Sequence, residues 1–396
     1  MQTQFMKKIT GTQSQTIALF FGSLLFQIIQ VGTFPILISQ FLSQSALSNF
    51  TIGIFVALAW IVVFLAGPFV PSLISSVGPY RANFIAFCFT LASLVLLALS
   101  PTPALIALAS ITMGMGLIIR WIVCDTLVVH VSPPDMRGRM IGWHEALMGL
   151  GIGLGPLLFV GTSLASVVWI CLAIAVIGQV AFLTLDRHST LKSEREREVG
   201  QDHRFLIRVI LTALVAAFLA GYIENSAIAL LPLYYEHVDF SLETSAILVS
   251  SFGFGGTLLQ PVLGYIADRW NYYLAQMLCI AFIIGGSLIV LLFAEQMAVS
   301  LVALFFLGGA AGGLNTLAVI EAGRSQSAKQ IPAAMTAIAM LYTLGGIAGP
   351  VASGASLNLF QNQGMIILFI GSGVVLAMFL FFHRYRAVAD AHTGKS

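Results

Sequence analysis

The chain has 396 residues, of which 58% are apolar and only 9% charged, and its mean hydropathy is +0.96. Its 18 Lys and Arg and 16 Asp and Glu compare with roughly a hundred charged residues in a soluble chain of this length. That composition excludes a soluble enzyme and a disordered protein, and a net charge of +2 leaves no basic face for nucleic acid.

Lipid is therefore the expected solvent. A bilayer span takes about 20 apolar residues, so twelve spans use about 240 residues and leave only short connections. The apolar runs give twelve helices, near 15–40, 50–75, 82–100, 104–129, 139–162, 165–185, 206–234, 244–267, 273–293, 298–321, 332–357 and 363–383. The first follows Lys7 and Lys8 and is too long for a signal-peptide core, so it reads as a retained span. Ser100-Pro101-Thr102-Pro103 reads as a tight turn. Ser132-Pro133-Pro134-Asp135 ends the fourth helix, because proline removes a donor and restricts the residue before it.

Sorting the Lys and Arg residues with the N-terminus inside puts seventeen on the cytoplasmic side and none outside; Arg120 alone lies within a span. Such a split supports an even number of spans with both termini cytoplasmic. The long polar connection Asp186–Arg208, with Glu194-Arg195-Glu196-Arg197-Glu198, reads as a solvated linker. The expected domains are 1–185, a six-helix bundle, the linker 186–207, and 208–396, a second bundle with a short tail. The four cysteines sit in apolar runs without metal or redox spacing. No cofactor and no metal site is expected.

The two bundles echo each other. Gly149, Gly151, Gly153, Gly155 and Pro156 in the fifth span match Gly345, Gly346, Gly349 and Pro350 in the eleventh, and the two prolines are 194 residues apart. Gly67 and Gly264 end the second and eighth spans 197 residues apart. A six-plus-six repeat follows. Small residues at these spacings let helix backbones approach, and a Gly-Pro pair permits bending; the run serves packing, bending, or both.

With these features the chain resembles the major facilitator superfamily. Gly264-Tyr265-Ile266-Ala267-Asp268-Arg269 is similar to its motif after the eighth helix, and the runs ending Gly155-Pro156 and Gly349-Pro350 are similar to its motif in the fifth and eleventh. A narrower resemblance is to the YcaD-like bacterial branch. It rests on Pro71-Ser72-Leu73 with Val77-Gly78-Pro79-Tyr80-Arg81, on Arg137-Gly138-Arg139-Met140-Ile141-Gly142, and on Leu230-Leu231-Pro232-Leu233-Tyr234 continuing to Gln260-Pro261. The chain departs from the pattern where Pro71 replaces an acid, where Trp270-Asn271-Tyr272-Tyr273 replaces a basic run, and at Arg120-Trp121. The resemblance implies an all-α membrane protein of two six-helix bundles that alternately open a mid-membrane site. It also implies a cytoplasmic gate, here Arg81, Arg137, Arg139, Asp268 and Arg269, made asymmetric by Pro71.

A charge at mid-bilayer costs about 2.5–3.5 kcal/mol on insertion scales, so intramembrane charges carry information. Arg120 lies some nine residues above the inner end of helix four, too deep for easy snorkelling. It reads as a contact for an anionic group, to which its planar fork is suited, or as half of a structural ion pair. Asp125 and Glu145 are each ten residues from the hairpin centre at Asp135 and so lie at similar depth. Two such carboxylates resist ionising together, which makes a proton site; alternatively Asp125 latches to Arg137 or Arg139. His144 reads as structural. Glu224, flanked by long apolar runs, reads as a proton carrier or as a hydrogen-bonded structural acid, while Glu321 sits at a span margin. Gln27, Gln30, Tyr222, Asn225, Gln260, Asn315 and Tyr342 are candidates for a substrate cavity or for interhelical hydrogen bonds.

The expected function is a secondary transporter of a small organic solute in the bacterial inner membrane. It is monomeric and proton-coupled, with export the preferred direction; a proton-independent facilitator is the alternative. Its partners are solute, protons and lipid. No phosphate-binding loop, nucleophile elbow or His-rich cluster points to an enzyme.

Overall fold

The computed structural model describes every residue except 1, 46, 100–101, 133–136, 185–210, 326–330, 361–362 and 394–396, and it leaves out the side chains of 2–13, 137–138, 323–325, 331–332 and 383–393 as well. The linker and the Pro133-Pro134 turn lie outside the described residues.

Every regular element described is a helix. In chain order they are α1 (Gln2–Gln27), a π-helical stretch (Ile28–Thr33), α2 (Phe34–Ser43), α3 (Asn49–Ala66), α4 (Val70–Val77), α5 (Pro79–Ala98), α6 (Pro103–Val131), α7 (Arg137–Leu154), α8 (Leu164–Leu183), α9 (Leu211–Glu236), α10 (Leu242–Arg269), α11 (Tyr272–Phe293), α12 (Met297–Ser325), α13 (Ile331–Leu359) and α14 (Gly364–Thr393). Eleven helical segments among the described residues are long and apolar enough to cross a membrane. The fifth expected span differs. It is helical over Arg137–Leu154, then tightens into a 3-10 turn at Pro156–Phe159, because Pro156 has no N–H to continue the ladder. The second is interrupted in the same way by a 3-10 turn, Gly67–Phe69, between α3 and α4.

Local chemistry accounts for the helix starts. Thr102 accepts from the Leu105 N–H, Ser163 from Ser166 and the Asn271 side chain from Tyr273, satisfying amides that have no partner within their own helix. Pro79 and Pro103 open α5 and α6, where a missing N–H costs nothing. Gly78, at φ +83°, makes the reversal between α4 and α5, a conformation that suits glycine. The π-helical stretch precedes Pro35. Phe34 donates to Ile29 O, five residues back, and the Thr33 hydroxyl donates to Ile28 O at 2.7 Å.

The chain forms two compact units, one of residues 1–47, 54–197 and 242–250, the other of 48–53, 198–241 and 251–396. In the first unit α1 packs on α7 and α8, and α5 packs on α6 and α8. In the second α9 packs on α12 and α13, and α11 packs on α12 and α14. Helix α9 is enclosed along nearly its whole length. Large apolar side chains such as Leu65, Trp169, Leu292 and Phe381 are exposed, which is favourable in hydrocarbon and unfavourable in water.

The glycine runs are the seats of the closest helix contacts. A Cβ added at Gly155 would lie 2.5 Å from Gly32 Cα and 2.7 Å from Ile28 O. One added at Gly349 would collide with Tyr222 O and lie 2.6 Å from Ser226 Oγ. Gly155 and Gly349, Ile28 and Tyr222, and Gly32 and Ser226 are all 194 residues apart. The duplication read from glycines and prolines therefore extends to matching atomic contacts inside each unit.

Candidate functional site

In the first unit the polar residues of the membrane interior form a chain around Arg120. This arginine is 3% exposed, enclosed in packing rather than set on an open wall. Its Nη1 donates to Asn83 Oδ1 at 2.8 Å and its Nη2 to Asn83 O at 3.5 Å. Asn83 Nδ2 in turn donates to Gln179 Oε1 at 3.3 Å. The guanidinium carbon lies 3.3 Å from the centre of the Phe26 ring and 5.2 Å from that of Phe182, a stacking to which Arg is suited. Its Nε has no hydrogen-bond partner. The buried cation is thus held by an amide and two aromatic faces in place of the structural ion pair that was one of its two expected readings. Arg81 lines a cavity of about 920 Å³ together with Asn83, Gln179 and Phe182.

Asp125 on α6 and Glu145 on α7 are brought together, as the hairpin count expects, and His144 joins them. Each of the three offers a ligand atom within 4.8 Å of the other two. The carboxylate side chains are exposed on the unit while His144 is 1% exposed. Among the described residues Asp125 makes no ion pair with Arg139, which is exposed; the Arg137 side chain lies outside the described residues.

Gln30 sits in the π-helical stretch, 4% exposed, and donates to Thr90 Oγ1 on α5 at 2.8 Å. Gln27, 8% exposed, lies against Gly151.

In the second unit Glu224 is partly buried at the middle of α9, and its carboxyl group is hydrogen-bonded to the Tyr342 side chain on α13. Helix α9 holds no Lys, Arg or His. Glu224 lies 194 residues after Gln30, so the repeat puts an acid where the first unit has an amide. The crossing is close here, because a Cβ added at Gly221 would collide with Tyr342 O and one at Gly345 with Phe218 O. Asn225 is turned into its own helix and donates to Gly221 O at 2.9 Å. Tyr222 is partly buried beside Phe218. Gln260 on α10 reaches Gly312 of α12, and Asn315 is partly buried one turn further on. Asp268 and Arg269 are exposed in the last turn of α10.

Glu321 anchors a separate network. Its carboxylate accepts from Thr212 Oγ1 and, at 2.8 Å, from Tyr272 Oη. Gln276 Nε2 donates to Tyr272 Oη at 3.3 Å. Sequence reading missed Asn83, Gln179 and Thr90 in the first unit and Thr212, Tyr272 and Gln276 in the second. The available signal was a polar side chain inside an apolar run, which does not name its partner.

Comparison with known proteins agrees with this architecture. The family model described as Major Facilitator Superfamily matches residues 19–350 and 213–395. An uncharacterized MFS-type transporter of Yersinia pestis (strain Pestoides F) is 27% identical over 67% of this chain and 69% of its own. The uncharacterized MFS-type transporter YcaD of Escherichia coli O9:H4 (strain HS) is 22% identical over 93% of this chain and 96% of its own. Among solved structures, the nucleoside transporter NupG superposes with a TM-score of 0.78 at 15% identity, covering 93% of this chain and 99% of that one. A bacterial homologue of the human lysosomal transporter Spinster, inward-facing and unoccupied, superposes with a TM-score of 0.68 at 13% identity, covering 94% and 95%.

Proposed function

The chain belongs to the major facilitator superfamily, and from that membership we propose that it is a secondary active transporter coupling movement of a small organic solute to protons, with Glu224 as the proton-carrying group. The family is one of transporters rather than enzymes, and the eleven apolar helices fit a multi-pass membrane protein. The distribution of Lys and Arg supports the bacterial inner membrane with both termini in the cytoplasm.

The observation that carries the coupling is Glu224 itself. It is the one ionisable carboxylate in the apolar middle of α9, hydrogen-bonded to a neutral phenol, in a helix without a cation. A carboxyl group held by a phenol accommodates both protonation states, since Tyr342 donates to the carboxylate and accepts from the acid. The position fits a coupling group as well, because α9 and α13 meet there through glycines, so a change in the Glu224–Tyr342 bond acts on the contact between two long helices. Gln260 and Asn315 supply further polar atoms within the second unit for an uncharged solute.

The test is solute-evoked proton movement in proteoliposomes that contain a pH dye. The solute panel runs from organic acids and amino acids to nucleosides, the last included because NupG shares the fold. Tracer flux without proton movement would instead make the protein a facilitator and Glu224 a structural acid. The sign of the pH change reads the direction of coupling.

A further inference from the structure

We propose that Asp125, His144 and Glu145 form a binding site for a divalent transition-metal cation, of the Mn2+, Co2+ or Zn2+ class. Two carboxylate oxygens and one imidazole nitrogen lie within 4.8 Å of one another. Ligand atoms around a cation at about 2.1 Å sit about 3–4 Å apart, so small side-chain rotations bring this set to bonding distance.

A second observation is independent of the acid pair. His144 is 1% exposed and its Nε2 is buried without any hydrogen-bond partner. A buried polar nitrogen without a partner is costly, and a coordinated cation is a partner that an imidazole accepts well. The ring is braced by Phe20 of α1, with centroids 5.6 Å apart. The two carboxylates by contrast are open on the surface of the unit, which gives a cation a way in.

Charge and ligand type select the ion. Two carboxylates this close repel each other when both are ionised, and a divalent cation between them removes that repulsion. Mg2+ and Ca2+ prefer all-oxygen sites, and Cu(I) prefers sulfur; one imidazole with two carboxylates suits the borderline ions between them. Asp125 lies six residues before the end of α6 at Val131, about 9 Å along the axis, so the site is within the span and close to one end of it. Three protein ligands leave coordination positions for water or for a chelating solute. This inference does not rest on proton coupling through Glu224, which lies in the other unit.

The experiment is titration of the full chain, tag removed and chelator-treated, in lipid nanodiscs, with Zn2+, Mn2+ and Mg2+ followed by calorimetry. One equivalent of Zn2+ or Mn2+ binding in the micromolar range is expected, with Mg2+ at least a hundredfold weaker. Asp125→Asn, Glu145→Gln and His144→Gln should each weaken Zn2+ binding at least tenfold. Failure to bind one equivalent, or binding that all three variants leave unchanged, would overturn the proposal. Should a variant not fold, X-ray absorption of the Zn2+-loaded wild type decides. A shell of oxygen with imidazole nitrogen at about 2.0–2.2 Å supports the site, and a shell with sulfur or without imidazole refutes it.

Discussion

Replacing Gly155 by alanine tests the packing that the two units share. The new Cβ would sit 2.5 Å from Gly32 Cα, where ordinary contact begins at 3.4 Å. The atom it meets is backbone, so no side chain can swing away, and α7 must retreat from the π-helical stretch by about 0.9 Å, the difference of those two distances. A gap of that size forfeits a quarter to a half of the dispersion energy of the atoms that lose contact. Small residues matter more in lipid than in water, because packing, not burial from solvent, drives helices together. Overpacking of this kind costs about 1–3 kcal/mol. The matching change at Gly349 meets Tyr222 O and Ser226 Oγ and should cost a similar amount. Gly285 is the control, a helical glycine with nothing within 4 Å of an added Cβ; there alanine should be neutral or stabilising by up to about 1 kcal/mol from helix propensity. The assay is equilibrium unfolding of purified variants in mixed micelles with increasing SDS. Gly155→Ala as stable as Gly285→Ala would refute the claim that these glycines are packing seats.

Three further outcomes follow from the polar networks. Asn83→Leu removes the Asn83 Oδ1 acceptor of Arg120 and should destabilise the chain by about 1.5–3 kcal/mol, the range for a hydrogen bond to a charged group; the same unfolding assay reads it, and an unchanged midpoint would mean that the aromatic faces alone hold the cation. Phe26→Leu removes the ring 3.3 Å from the guanidinium and should cost about 2 kcal/mol beyond a Phe→Leu change at Phe369, which is also buried. Tyr272→Phe deletes one donor to Glu321 and leaves Thr212, so a loss of about 1.5–3 kcal/mol is expected, with no loss refuting a structural role for that network.

Much of the architecture is legible in the sequence because lipid imposes it. Span length and the 194-residue repeat each follow from a constraint that acts on one residue or one segment at a time. The hairpin count that sets Asp125 and Glu145 at equal depth works for the same reason, since depth depends on chain position alone. What was not legible depends on which face of a helix meets which neighbour. Arg120 found Asn83, Phe26 and Phe182, on three different helices, where sequence reasoning looked for a carboxylate. The approach of His144 to Asp125 runs between two helices and is likewise invisible in the sequence. Asn225 lies beside Glu224 in sequence yet turns about 100° around the helix and bonds back to Gly221. The break at Gly155-Pro156 was visible, but that the helix ends there rather than bends needed the backbone.

Transport driven by a proton gradient, compared with solute exchange at equilibrium, bears most directly on Glu224. Both are measured in proteoliposomes containing wild type or Glu224→Gln, with the same tracer solute. A glutamine keeps the size of the side chain and its hydrogen bond to Tyr342 but holds no exchangeable charge. If Glu224 carries the proton, the variant should retain exchange of labelled for unlabelled solute and lose accumulation driven by the gradient, together with the solute-evoked pH change. Gradient-driven accumulation by Glu224→Gln at the wild-type rate would contradict that role and leave the acid as part of the α9–α13 contact.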